Sequence, residues 1–152
     1  MPPDLLIILL SALPVGELRA TLPLALEVYH FSIPRALLDV YIGNALPIVP
    51  LVYGLHFLTA FCDKHVKVCH RILVKVFERT QRSFHKDYQR YGAIGLFLFV
   101  AVPLPMTGVW SGSVAAVLFG IRPKYAIPAI VGGMIVSGLI VLALVKGFVA
   151  MF

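Results

Sequence analysis

Apolar residues fill this chain in long blocks, and the residues that interrupt each block are as informative as the blocks. From Leu5 to Tyr29 the sequence LLIILLSALPVGELRATLPLALEVY is apolar enough for a membrane helix, but Pro14, Gly16, Glu17, Arg19 and Pro23 cluster in its middle. The uninterrupted piece from Leu5 to Leu13 would rise about 13 Å as a helix, less than half of a hydrocarbon core of about 30 Å. Residues 1–31 are therefore predicted to form a re-entrant helical hairpin that enters the membrane, turns and leaves by the same face. Residues 34–61 form the first predicted transmembrane helix, with Pro34 suited to its first turn and kinks expected at Pro47 and Pro50. Asn44 falls about 15 Å from the start of that helix, near the bilayer midplane.

The pattern changes over residues 62–91. At 100° per residue the basic side chains Lys64, Lys67, Arg71, Lys75, Arg79, Arg82, Lys86 and Arg90 centre on one face, and Val66, Leu73, Val76, Phe77 and Phe84 lie roughly opposite. This predicts a basic amphipathic helix in the lipid headgroup region, or one docked on protein. Residues 92–120 then repeat the first theme, an apolar run broken at its centre by Pro103, Pro105, Thr107 and Gly108, and are predicted as a second re-entrant hairpin. Residues 123–150 supply the second transmembrane helix, again led by Pro. Sliding the first region over the last by 89 positions aligns Pro14 with Pro103, Pro34 with Pro123 and Gly43 with Gly132. The predicted fold is thus a single all-α integral membrane domain of two repeats, each one hairpin plus one span. An odd number of crossings per unit inverts the second repeat.

Composition excludes the soluble alternative. Of the residues, 60% are hydrophobic and 13% charged, with a mean hydropathy of +0.94, against roughly 25% charged in an average soluble domain. The net charge of +6 and isoelectric point near 9.6 would suggest nucleic acid if the basic residues were scattered. Eight of the thirteen lie instead in the one central stretch, which points to a membrane surface rich in anionic lipid and not to nucleic acid. The positive-inside rule puts residues 62–91 in the cytoplasm of a multi-pass cell-membrane protein, with both termini outside. Asp4 stands where a signal peptide would carry Lys or Arg, so no cleaved leader is expected.

Two ionisable side chains at membrane depth, Glu17 and Arg19, are the first candidates for chemistry, because each costs at least about 2.5 kcal/mol at the centre of a membrane helix unless paired or hydrated. Residues i and i+2 do not face each other on a helix, so a direct pair requires the Pro-Gly turn to unwind the backbone. Glu17 is a candidate proton or cation site and Arg19 a candidate anion site; the alternative is a structural salt bridge. In the second hairpin, the helix restarting near Trp110 would present free N–H groups to an anion, and Pro103, Pro105, Thr107, Gly108 and Ser111 complete the candidate loop. Gly108 and Gly112 could equally form a helix-packing face, and Trp110 could be interfacial. Asn44 could reach either hairpin tip or act as interhelical glue, and Gly132 and Gly133 favour close packing. Cys62, His65 and Cys69 share a helical face but lack a fourth ligand at a zinc spacing, so no metal or other cofactor is expected. No catalytic triad, phosphate loop or dinucleotide motif is present, so an enzyme is not expected and any transport would run on an ion gradient or downhill.

The segment Gly16-Glu17-Leu18-Arg19-Ala20-Thr21-Leu22-Pro23-Leu24 resembles the E-L-R-x-x-[IL]-P-L element of the small multi-drug export protein family. Ala101 to Gly112, AVPLPMTGVWSG, is similar to its V-P-L-P-G-T-G-A-W-T-G element, with Met106, Val109 and Ser111 in place of Gly, Ala and Thr. Gly43-Asn44-Ala45-Leu46-Pro47 and the basic central segment match in order. The resemblance implies drug efflux and, more distantly, the DedA-like broken-helix membrane proteins, some of which translocate phosphorylated lipid carriers. Two functions follow as expectations. One is a proton-coupled transporter or flippase that binds an amphipathic substrate, either a hydrophobic cation or a lipid phosphate, between the hairpin tips. The other is a non-transporting scaffold that recruits partners or anionic lipid through the basic helix. Two spans and two hairpins are few for a sealed pathway, so a homodimer is expected.

Overall fold

In the computed structural model, residues 2–65, 88–104 and 107–151 are described, and among them the chain is helical with no strand. Pro105, Cys69 and the basic positions Lys67, Arg71, Lys75, Arg79, Arg82 and Lys86 lie outside the described residues.

The first block folds as α1 (Pro3–Ala12), a tight turn and α2 (Glu17–Pro23). Pro23 has no N–H to continue the helix, and the chain widens into a π-helical turn over Leu24–Val28. His30, at φ 52°, then turns the backbone out of the helix. Helix α3 (Ile33–Ala45) follows, with Pro34 in its first turn, and α4 (Ile48–His65) continues the same apolar stretch. The break between them is at Leu46-Pro47, where the missing N–H of Pro47 ends α3. The kink expected at Pro50 is absent because Pro50 falls in the first turn of α4, where an N–H has no helical partner in any case. The second block gives α5 (Tyr88–Ala101), a loop, and α6 (Val109–Leu118), and Gly120, at φ 63°, leads into α7 (Pro123–Met151). Helices α4 and α5 each reach four residues further into the basic stretch than the hydrophobic pattern predicts. Lys64 lies on the last turn of α4, and Arg90 on the first turn of α5, where it is exposed.

Two stretches, Ile33–Leu58 and Pro123–Val149, are long and apolar enough to cross a membrane. The helices α1, α5 and α6, of 10, 14 and 10 residues, rise only about 15–21 Å and do not cross a hydrocarbon core alone. In both halves a short helix, a break and a second short helix precede the stretch of spanning length, which is broken at Leu46-Pro47 in the first half, and α1 ends at Ala12 and α5 at Ala101, 89 positions apart. Packing follows the same parallel: α1 lies mainly on α3 and α5 on α7, while α2 crosses to α7 and α6 to α4. Glycines permit the close approaches. A Cβ on Gly43 would overlap the Ile8 carbonyl of α1, and one on Gly133 would stand 2.7 Å from the Phe97 carbonyl of α5. The packing role expected of Gly133 is therefore what the structure shows.

The buried centre is aliphatic, with Ile7, Leu22, Val40, Val52 and Ile130 fully enclosed. Outside it, Leu9, Leu38, Phe57, Leu98, Leu139, Leu144 and Phe148 stay exposed. So many exposed large apolar side chains are rare in a water-solvated monomer and fit a chain whose outer solvent is lipid.

Candidate functional site

The two interrupted blocks meet through their interruptions. In the first, Gly16 packs so tightly under α1 that a Cβ there would overlap the Leu10 carbonyl. Glu17 follows with a φ of 28°, a conformation costly for a non-glycine residue, and the helix of α2 begins from it. This is the unwinding that a Glu17–Arg19 pair requires, and Arg19 Nη1 lies 4.0 Å from Glu17 Oε2. The strained start is held from inside. Ser11 Oγ donates to Thr21 Oγ1 at 2.7 Å, and Thr21 Oγ1 donates to the Glu17 carbonyl at 2.7 Å, with both side chains buried.

Neither charge relies mainly on the other. Arg19 extends into the loop after α5, where its guanidinium donates to the carbonyls of Leu104, Val102 and Thr107 and, at 2.8 Å, to Thr107 Oγ1. These acceptors belong to the loop between α5, which ends at Ala101, and Gly108, the N-cap of α6. The Thr107 hydroxyl also folds the loop itself, donating within reach of Val102 O (2.7 Å) and Leu104 O (2.9 Å). Glu17 points the other way, to the N-terminal end of α6, where the Trp110 N–H approaches Oε1 at 3.5 Å. A Cβ on Gly108 would overlap the carboxylate, so only glycine leaves this place open. The anion expected at the restarting helix is thus, in this structure, the chain's own Glu17.

Trp110 ties the two interrupted blocks a second time, its Nε1 donating to Ala12 O at the end of α1, 3.1 Å away. Ser111 Oγ accepts the Gly108 N–H at 2.9 Å and so caps α6. Gly112 packs against Val100 of α5, whereas Gly108 receives Glu17; the expected Gly108–Gly112 packing face is therefore half a packing face and half a carboxylate seat. Pro103 lies in the Arg19-binding loop, partly buried.

Two spaces adjoin the pair. A cavity of about 370 Å³ is lined by Glu17, Arg19, Trp110 and Ser111 together with Pro14, Val15 and Ala20. A space of only about 10 Å³ touches Glu17 and Arg19 as well, and is lined further by Asn44, Val109, Met134 and Ser137. Asn44, 2% exposed, is thereby brought to the site; its Nδ2 donates to Val40 O within α3. Ser137, 4% exposed, was not among the sequence candidates. Its signal was its being the single serine of the apolar α7 segment.

A second charged cluster lies apart from the tips. Arg35 Nε and Nη2 reach Asp4 Oδ1 at 2.7 and 2.5 Å, and Arg35 lies 4.3 Å over the Phe31 ring. The hydrogen bond from Arg35 holds the Asp4 carboxyl below the usual carboxylate range.

No curated protein and no solved structure matches the chain. A family described as "Putative small multi-drug export protein" matches residues 17–140, from the first residue of α2 through the loop between α5 and α6 to the middle of α7. The match covers the described residues of the site from Glu17 onward and leaves out those of α1 and the turn after it. With two apolar helices of spanning length and this family match, the chain is a membrane protein that belongs to the small multi-drug export protein family.

Proposed function

We propose that the protein is an exporter of amphipathic cations in which Glu17 is the exchangeable group, binding a proton or the cation in turn, and Arg19 is a tie that holds the second hairpin. One observation carries this reading: Arg19 is engaged by loop acceptors from Val102, Leu104 and Thr107, whereas the Glu17 carboxylate has one long hydrogen bond from a backbone N–H and the Arg19 guanidinium only at 4.0 Å. A group that must exchange partners during transport is better served by the less engaged charge. The 370 Å³ cavity beside it offers a hydrophobic cation one carboxylate, the Trp110 side chain and the apolar Pro14, Val15 and Ala20, while Arg19, which also lines it, has its guanidinium bonded to the Thr107 acceptors.

In this reading α1–α2 and α5–α6 are re-entrant hairpins of two inverted repeats whose tips meet within the bilayer. Their short limbs, the 89-residue spacing of α1 and α5 and the parallel packing on α3 and α7 support it. Proton binding to Glu17 weakens its hold on the α6 N-terminus, loosens one hairpin from the other and opens the substrate cavity to the opposite side. A second copy of the chain would seal the lipid-facing side. The lipid-phosphate reading, which the distant DedA-like resemblance favours, requires Arg19 to leave the loop.

The test is transport in proteoliposomes under an imposed pH gradient, offering a fluorescent lipophilic cation and a labelled polyprenyl phosphate to wild type, Glu17→Gln and Arg19→Lys. The expected outcome is gradient-driven movement of the cation that Glu17→Gln abolishes and Arg19→Lys retains in reduced form. Movement of the phosphate alone, lost in Arg19→Lys, refutes the cation reading. Movement of neither by a folded wild type supports the scaffold instead.

A further inference from the structure

The small chamber touches Glu17 and Arg19 together with Asn44 and Ser137, two buried polar residues of α3 and α7. Its volume of about 10 Å³ is at the lower limit for holding one water and far below any drug-like molecule. A buried water also needs two to four polar partners. They are at hand. Arg19 Nε is buried and makes no hydrogen bond among the described residues. Asn44 is nearly fully buried, and its amide NH2 is directed to Val40 O of its own helix, leaving the amide oxygen for another donor. The Ser137 hydroxyl and the Glu17 carboxylate complete the polar lining.

We propose that this chamber is a single-water site, and that the water held there by Asn44, Ser137 and Arg19 hydrogen-bonds Glu17 on the side away from the open cavity. Glu17 then has two hydrogen-bonding environments: the α6 N-terminus with the open cavity, and a fixed water between the spanning helices α3 and α7. The consequence rests on the reading of Glu17 as the exchangeable group, because the water stabilises the carboxylate when it is not occupied by substrate. The charged group beside Glu17 is Arg19. What the neighbouring elements bring to it is uncharged: Asn44 from α3, the Trp110 N–H from α6 and Ser137 from α7.

The experiment is infrared titration of the full chain in lipid nanodiscs, with the Glu17 carboxylic acid band assigned by its loss in Glu17→Gln. The variants are Ser137→Val, which fills the chamber, Ser137→Ala, which removes one water partner, and the control Ser113→Ala. Ser113 is also a buried serine, but its Oγ donates to Val109 O of its own helix at 2.8 Å. The expected result is a water O–H band that shifts in H2-18O in wild type and is lost in Ser137→Val. The Glu17 midpoint should rise by about one pH unit in that variant, a tenfold gain in proton affinity, because a hydrogen bond to the charged form is removed. Ser137→Ala should give a smaller rise and Ser113→Ala none. If Ser137→Val does not fold, the Ser137→Ala shift decides. Wild-type midpoints in both Ser137 variants, or no isotope-sensitive band in wild type, overturn the proposal. Transport is read separately: a shifted midpoint in a protein that moves no cation keeps the water site and removes the exporter, and Glu17-dependent transport with unshifted midpoints does the reverse.

Discussion

Replacing Arg19 separates a tie between hairpins from a substrate ligand. In the structure the guanidinium bonds three loop carbonyls and the Thr107 hydroxyl, with the Val102 contact long at 3.4 Å. Hydrogen bonds from a charged donor are worth about 1.5–3 kcal/mol each. Counting only the three short ones and allowing about half for resolvation of a side chain that is 20% exposed, Arg19→Ala should destabilise the fold by roughly 2–4 kcal/mol. Arg19→Lys keeps the charge but not the fork of donors, and should lose about half as much. The assay is equilibrium unfolding in mixed micelles, followed by helical circular dichroism and by fluorescence of Trp110, the single tryptophan, which sits at the joint between the hairpins. If Arg19→Ala unfolds at the wild-type midpoint, the loop does not depend on Arg19 and the reasoning fails. A variant of unchanged stability that no longer binds a labelled phosphate would make Arg19 the ligand instead.

Other outcomes follow from the same geometry. Gly16→Ala should cost about 1–3 kcal/mol, since its Cβ meets the Leu10 backbone, which cannot move aside. Gly108→Ala should cost less in unfolding experiments and yet impair transport, because its Cβ displaces only the mobile end of Glu17. Gly138→Ala collides with the Tyr41 ring and breaks the Tyr41 hydroxyl bond to Ile135 O, 2.9 Å long; the double variant with Tyr41→Ala should recover part of the loss, read as a positive coupling in a double-mutant cycle. The Asp4–Arg35 pair sets an acid limit. The folded pKa of Asp4 lies below its unfolded value, so the stabilisation is fully present above the unfolded pKa of about 4 and fades as the pH falls through the lowered folded value. Asp4→Asn should flatten that part of the stability-against-pH curve, and an unchanged slope would exclude the linkage.

The sequence by itself determined the architecture's punctuation. Proline removes a backbone donor and glycine a Cβ wherever they stand, so Pro34, Pro47, Gly16 and the Pro103–Gly108 stretch mark helix starts and breaks without reference to neighbours. The apolar excess fixed lipid as the solvent, and the cost of charge in lipid singled out Glu17 and Arg19. What only the tertiary structure decided is which group answers which. The sequence left Arg19 open as an anion ligand and the α6 N-terminus open as an anion site. Contacts more than 80 residues apart fill both, with Arg19 on the carbonyls of the loop between α5 and α6 and Glu17 on the α6 amide end. Pro50 proved harmless because a proline's effect depends on its place in a turn, which periodicity locates only to within a few residues. Ser137 was invisible for a related reason. A lone hydroxyl on an apolar helix acquires meaning from the residues opposite it, and these, Asn44 on α3 and Glu17 on α2, are set by helix packing rather than by spacing along the chain.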